Sequence, residues 1–177
     1  MFAYKNWFLE QLGMYAAYHQ DCKNQLTHHI GVPIIVFSLL LALARIPLGE
    51  AGGTSVSAAT IVLAILMLAY IVAVPLVGVA TLLFYAVVYF FVVQIAAFDP
   101  LFVWTIAGVC FVGGWSIQFL GHVFEGRRPA LTVNVMQVFL APPYLVAKIL
   151  FAFGMSRSIE RDVTARAQKY LPKSHAA

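Results

Sequence analysis

Imidazole is the side chain best suited to hold a transition metal near neutral pH, and four of the five histidines in this chain fall in two short polar islands. The first reads Tyr18-His19-Gln20-Asp21-Cys22-Lys23-Asn24-Gln25-Leu26-Thr27-His28-His29. The second reads Gln118-Phe119-Leu120-Gly121-His122-Val123-Phe124-Glu125-Gly126-Arg127. A long apolar run separates them, and between Asn24 and Phe124 the only formally charged residues are Arg45, Glu50 and Asp99. Ionisable groups that cluster beside a membrane-embedded segment mark function, so the two islands are expected to form one metal site at a membrane surface. The fifth histidine, His175, stands apart in a polar tail.

The second island has the simpler geometry. On a helix, Trp115, Gln118, His122 and Glu125 follow steps of three and four residues and share one face. His122 and Glu125 could then grip one ion, a spacing that helical bundles use for non-haem iron. In the first island, His19 and His28 fall on opposite faces of an uninterrupted helix, so their convergence requires a break. Asp21, Asn24 and Thr27 are capping and turn residues that supply one, and Gly31 before Pro33 is a second candidate junction. Asn24 and His28 share a face, whereas His29 points about 100° away. The adjacent pair therefore divides its work, one ring touching metal and the other a partner or the substrate.

Imidazoles with at most one carboxylate suit Zn, Fe, Cu or Ni, and two histidines with a carboxylate and open positions is a pattern of Fe(II) oxygenases. Zinc-dependent lipid hydrolysis and a non-enzymatic metal- or lipid-binding membrane protein remain as alternatives. Bis-histidine haem would need facing histidines within the spans, and these lie at span ends. Cys22 and Cys110 occupy different environments, so no structural disulfide is expected. The net charge of +4 suits anchors at anionic head groups, and the few basic residues carry no aromatic interleaving that would suggest nucleic acid.

The elements that must position these residues are helices in a bilayer. With 62% hydrophobic and 10% charged residues, and no two-residue alternation, the chain reads as an all-α membrane protein rather than a barrel. A span needs about 20 apolar residues, and four such stretches run at Ile30 to Ile46, Ser55 to Pro75, Leu76 to Ala97 and Pro100 to Leu120. Pro75 with Gly78 is the expected corner between the second and third. Ile46 to Thr54 reads as a polar loop. Thr132 to Phe153 carries Asn134, Gln137 and Lys148 and is broken by Pro142-Pro143, so a re-entrant or interfacial hairpin is expected there.

Residues 1–177 then form one helical membrane domain. An interfacial helix and the first island occupy 1–29, a four-span core 30–122, the second motif and hairpin 123–156, and an amphipathic basic tail 157–177. Met1 to Asn24 lacks the apolar core of a signal peptide, so the first span is expected to direct insertion. Positive residues at Lys5, Lys23, Arg127-Arg128 and the tail favour the cytoplasmic side. Four spans return the chain to the side it left, so both islands face the cytoplasm and can meet.

The wider motifs carry a family resemblance. Tyr18-His19, Asn24, His28-His29 and Gly31-Val32-Pro33, followed by Gln118-Phe119-Leu120-Gly121-His122 and Phe124-Glu125-Gly126-Arg127-Arg128-Pro129-Ala130-Leu131, resemble the Mpo-type 2-hydroxy fatty acid dioxygenases over nearly the whole chain. The resemblance implies a small enzyme of the bacterial inner membrane or the endoplasmic reticulum. It implies dependence on Fe(II), with O2 as cosubstrate, and cleavage of a 2-hydroxy fatty acid to the acid one carbon shorter, the α-oxidation step of sphingoid-base degradation. The implied metal residues are His19, His28, His29 and His122, with Glu125 in the same catalytic motifs. Arg127, Asn24 and Gln118 are the candidates for substrate contact, and Arg127 or Arg128 suits a carboxylate through a charge-assisted bond. A 2-hydroxy carboxylate can chelate Fe(II) through its hydroxyl and one carboxylate oxygen, so no 2-oxo acid is needed. Its alkyl tail is expected along Phe84, Tyr85, Tyr89 or Trp115. The sequence does not set an oligomeric state.

Overall fold

Asp21 makes the break that the first island needs. In a computed structural model of the chain, which describes residues 2–172, helix α1 (Phe2–Ala17) ends before His19 and helix α2 (Cys22–Ala44) starts just after it. The Asp21 carboxylate accepts hydrogen bonds from the Lys23 and Asn24 amides, satisfying donors that the first turn of a helix leaves free. Lys173 and His175 lie outside the described residues. The second junction expected at Gly31 and Pro33 does not form, since α2 runs through both without interruption.

Gly31 serves contact instead. A Cβ there would sit 3.0 Å from the Gly114 carbonyl oxygen of helix α5 (Pro100–Glu125), and one at Gly121 would sit 2.1 Å from Thr27 Oγ1 and 2.5 Å from Asn24 Oδ1. Small residues let two helix backbones approach closely, and α2 with α5 is the most extensively packed helix pair. Gly121→Ala is therefore expected to force the pair apart beside His28. Overpacking of this kind costs about 1–3 kcal/mol, which a lowered melting temperature in detergent, together with weakened metal binding, would register.

The apolar double run folds back at the expected corner. Helix α3 (Ala58–Ala73) stops at the extended residue Val74, and helix α4 (Pro75–Ala96) begins with proline in its first turn, where the missing amide hydrogen costs no bond. Gly78 lets α4 press on α3, because a Cβ there would lie 2.3 Å from the Ile71 amide nitrogen. Helix α5 begins with Asp99 accepting from the Leu101 and Phe102 amides and ends at left-handed Gly126, φ 67°.

Two expectations fail here. The polar loop at Ile46 to Thr54 is half of an antiparallel hairpin, β1 (Pro47–Ala51) with β2 (Thr54–Ser57). Gly52 and Gly53, at φ 56° and 76°, supply the positive dihedrals that a tight two-residue turn demands. The stretch from Thr132 is not a hairpin either: after a short 3-10 turn it forms one helix, α6 (Gln137–Ala152), straight through Pro142-Pro143. Pro143 cannot donate to the Phe139 carbonyl, but the Tyr70 hydroxyl does so at 2.6 Å. A side chain from α3 thus supplies the donor that Pro143 lacks.

Among the described residues, three helices, α2, α4 and α5, are long and apolar enough to cross a membrane, where four spans were expected. With 16 residues each, α3 and α6 reach about 24 Å, short of a hydrocarbon core of about 30 Å. Large apolar side chains such as Leu83, Val87, Phe90, Phe91, Val109 and Val112 face outward, as a bilayer requires and water does not favour. The basic tail forms helix α7 (Arg157–Ala167), which packs on α1 and buries Val163 and Ala167. Glu10 of α1 fastens it through Arg166 at 2.8 Å and Lys169 at 3.0 Å.

Candidate metal centre

His19 sits on the α1–α2 turn, His28 in the second turn of α2 and His122 in the last turn of α5. All three are buried, and each offers one ligand atom within 4.8 Å of the other two. Ring centroids are 4.4 Å apart for His19 and His28, 5.2 Å for His19 and His122 and 5.0 Å for His28 and His122. The His19 ring also stacks on Tyr15 at 4.0 Å.

Backbone carbonyls set the tautomers. His19 Nδ1 lies 2.6 Å from the Tyr15 oxygen and His28 Nδ1 lies 2.9 Å from the Asn24 oxygen. A carbonyl only accepts, so both Nδ1 atoms carry the hydrogen. Each Nε2 is then a bare lone pair in the neutral ring, and the two Nε2 atoms face each other at 3.1 Å. Two lone pairs at that distance repel unless a cation lies between them. Burial holds the His19 pKa well below the ordinary histidine value, with His28 adding to the effect, which disfavours a proton in that role. A metal ion fits, and a ring whose other nitrogen donates to a backbone carbonyl is the usual support for a metal-binding histidine. His122 Nδ1 is buried without a hydrogen-bond partner among the described residues, a further ligand atom for such an ion.

Neighbouring candidates serve other ends. His29 turns away, half-buried, with Nδ1 on the Gln25 carbonyl at 2.7 Å, so His28 and not His29 joins the group. Glu125 lies outside the group that His122 forms with His19 and His28. Its carboxylate accepts from the Gln20 amide at 3.0 Å, the Asp21 amide at 2.8 Å and Asn24 Nδ2 at 2.9 Å, clamping the end of α5 to the turn that carries His19. Asn24 is fully buried beneath His28 rather than open to a substrate. Arg127 donates to the Ala17 and Tyr170 carbonyls and lies 4.0 Å over the Tyr18 ring. These bonds hold α1 to the tail, and Arg127 does not line the cavity beside the histidines. Arg128 is exposed, as is the thiol Cys22; Cys110 is also free.

A cavity of about 80 Å³ opens from the three histidines. Gln118 lies beside them, and Val32, Ile35, Val36 and Leu39 of α2 with Trp115 and Phe119 of α5 continue its wall. From His28 to Leu39 the helix rises about 16 Å, and Leu39 and Phe119 are exposed on the outer surface, so the apolar end opens sideways. Of the residues expected along an alkyl tail, only Trp115 lines this cavity; Tyr85 is buried elsewhere and Tyr89 bonds Thr60 at 2.6 Å. Gln137 of α6 completes the wall. Sequence reasoning read it only as a flaw in an apolar stretch, although a buried amide in such a helix is itself a signal.

Comparison with known proteins places the chain in a family. Residues 6–153 match the family described as 2-hydroxy-palmitic acid dioxygenase Mpo1-like. The chain is similar to the 2-hydroxy-palmitic acid dioxygenase MPO1 of Saccharomyces cerevisiae, at 33% identity over 159 residues, covering 86% of this chain and 87% of the yeast protein. No solved structure matches the chain. The motifs that frame His19, His28 and His122 all fall inside the matched region, and the chain belongs to the Mpo1-like family.

Proposed function

We propose that this protein is an Fe(II)-dependent dioxygenase that uses O2 to convert a 2-hydroxy fatty acid to the acid one carbon shorter. The observation that carries the reading is the pair of opposed Nε2 lone pairs of His19 and His28, joined by His122 at the head of an apolar cavity. His19, His28 and His122 would hold Fe(II), which would supply the redox chemistry with O2 that no side chain here supplies. The Tyr15 and Asn24 carbonyls keep both Nδ1 atoms protonated and so keep the Nε2 atoms free. The α2 and α5 wall takes the alkyl tail and excludes water, and Gln118 contacts the polar head. Glu125 and Asn24 position the ligands, while His29 supports the first turn of α2 from outside the cavity.

The whole chain acts as one domain, with α3 completing a four-helix membrane core beside α2, α4 and α5. Lys23, Arg127 and Arg128 lie at the same helix ends as the histidines, whereas the opposite ends carry Arg45, Glu50 and Asp99. Positive charge accumulates on the cytoplasmic side, so the site faces the cytoplasm, from the inner membrane of a bacterium or the endoplasmic reticulum of a eukaryote. The test is O2 uptake by iron-loaded protein supplied with 2-hydroxypalmitate. Consumption of O2 with release of pentadecanoic acid is expected; intact substrate under air, or turnover of a lipid ester by zinc-loaded protein without O2, would overturn the assignment.

A further inference from the structure

Gln137 is one of the most deeply buried side chains, 1% exposed, and its Oε1 has no hydrogen-bond donor among the described residues. It lines the cavity that contains His19, His28 and His122. An amide can often turn over to satisfy itself, but a chain of hydrogen bonds prevents that here. The Met136 backbone amide donates to Asn134 Oδ1 at 3.0 Å, and since a backbone N–H only donates, Asn134 must present its oxygen there. Asn134 Nδ2 then donates to Gln11 Oε1 at 2.8 Å, and Gln137 Nε2 donates to the same oxygen at 2.8 Å. Turning Gln137 over would set oxygen against oxygen. Its Oε1 is thus fixed as an acceptor by Gln11 of α1 and by Asn134 in the segment that precedes α6, neither of which lines the cavity.

We infer that Gln137 Oε1 accepts a hydrogen bond from the 2-hydroxyl group of the substrate, with Gln11 and Asn134 as positioning residues. The inference rests on the proposed function above. A fatty acid at neutral pH carries a carboxylate, which only accepts, and an alkyl chain, which does neither; the 2-hydroxyl is the one donor that a 2-hydroxy acid adds. A fixed buried acceptor therefore reads the feature that separates this substrate from an ordinary fatty acid. Sites built to bond a substrate hydroxyl penalise the analogue that lacks it, because the buried polar group is left unpaired. Gln118 also has an unpartnered Oε1, but no bond fixes its orientation, so it can turn its amide to meet either part of the head group.

The test compares binding of 2-hydroxyhexadecanoate and hexadecanoate to the iron-loaded full chain without O2, read by Trp fluorescence. Wild type is expected to prefer the hydroxy acid. Gln137→Met, close in volume, should cut that preference about tenfold, the worth of one hydrogen bond, while hexadecanoate affinity stays within about twofold. Gln11→Glu, whose carboxylate still accepts from both amides, should keep the preference. Gln11→Met, which lies outside the cavity and frees Gln137 to turn, should weaken it. A full preference in folded Gln137→Met, or in Gln11→Met if the first variant does not fold, overturns the role of Gln137 and leaves the dioxygenase reading standing. A wild type with no preference for the hydroxy acid overturns both.

Discussion

His28→Ala is expected to cost the protein its metal. Iron retained after purification, measured by mass spectrometry, should fall by about 100-fold or more, since even losing a hydrogen-bonding supporter of a ligand costs about 10- to 100-fold. O2 uptake with 2-hydroxypalmitate should fall to background with it. The contrast with His29→Ala gives the experiment its force. The two residues are neighbours with the same side chain, yet His28 Nε2 opposes His19 Nε2 at 3.1 Å while His29 bonds only the Gln25 carbonyl. His29→Ala should therefore keep its iron. Thermal stability supplies a readout free of turnover: a ligand at 100 times its Kd stabilises by about 2.7 kcal/mol, so added metal should raise the melting temperature of wild type and of His29→Ala but not of His28→Ala. Equal metal loss in both variants would show that the opposed lone pairs are not the binding site.

What could be read from the sequence was local chemistry. Asp21 as a cap and Pro75 as a corner depend on bonds within a few residues, and both stand where the residue types put them. The all-α class followed from composition and the absence of alternation. Bonds made by distant partners could not be read this way. Pro142-Pro143 spells a break to any local rule, yet α6 continues, and the Tyr70 hydroxyl, far away in sequence, bonds the Phe139 carbonyl that Pro143 leaves free. The step of three residues from His122 to Glu125 fits a shared ion, but the local spacing does not reveal the Gln20 and Asp21 amides of the α1–α2 turn that bond this carboxylate. Arg127 shows the same limit, because a basic residue near a site suggests an anion until two carbonyls and the Tyr18 ring occupy it. Gln137 was visible as a polar residue, but its orientation depends on Gln11 from the other end of the chain.

Glu125 makes three bonds to residues far away in sequence, and the second large effect is expected there. Its carboxylate holds three donors from the α1–α2 turn, two backbone amides and the Asn24 side chain. Hydrogen bonds to a charged group contribute about 1.5–3 kcal/mol each, and a negative charge at a helix N-terminus gains further from the dipole. Glu125→Gln keeps the shape but replaces one accepting oxygen with a donor. Whichever way the new amide turns, at least one N–H faces another. A loss of about 2–3 kcal/mol is expected, which for a chain of this size lowers the melting temperature by about 5–10 °C. The same turn carries His19, so metal affinity should fall by about 10- to 100-fold, as for loss of a residue that orients a ligand. The paired readout distinguishes this clamp from direct coordination. A clamp lowers the stability of the metal-free protein and weakens metal binding together, whereas loss of a ligand would strip the metal and leave the metal-free melting temperature unchanged or raised by relief of buried charge. The second result would return Glu125 to the metal beside His122; the first leaves it as the tie that brings His19 to the other two histidines.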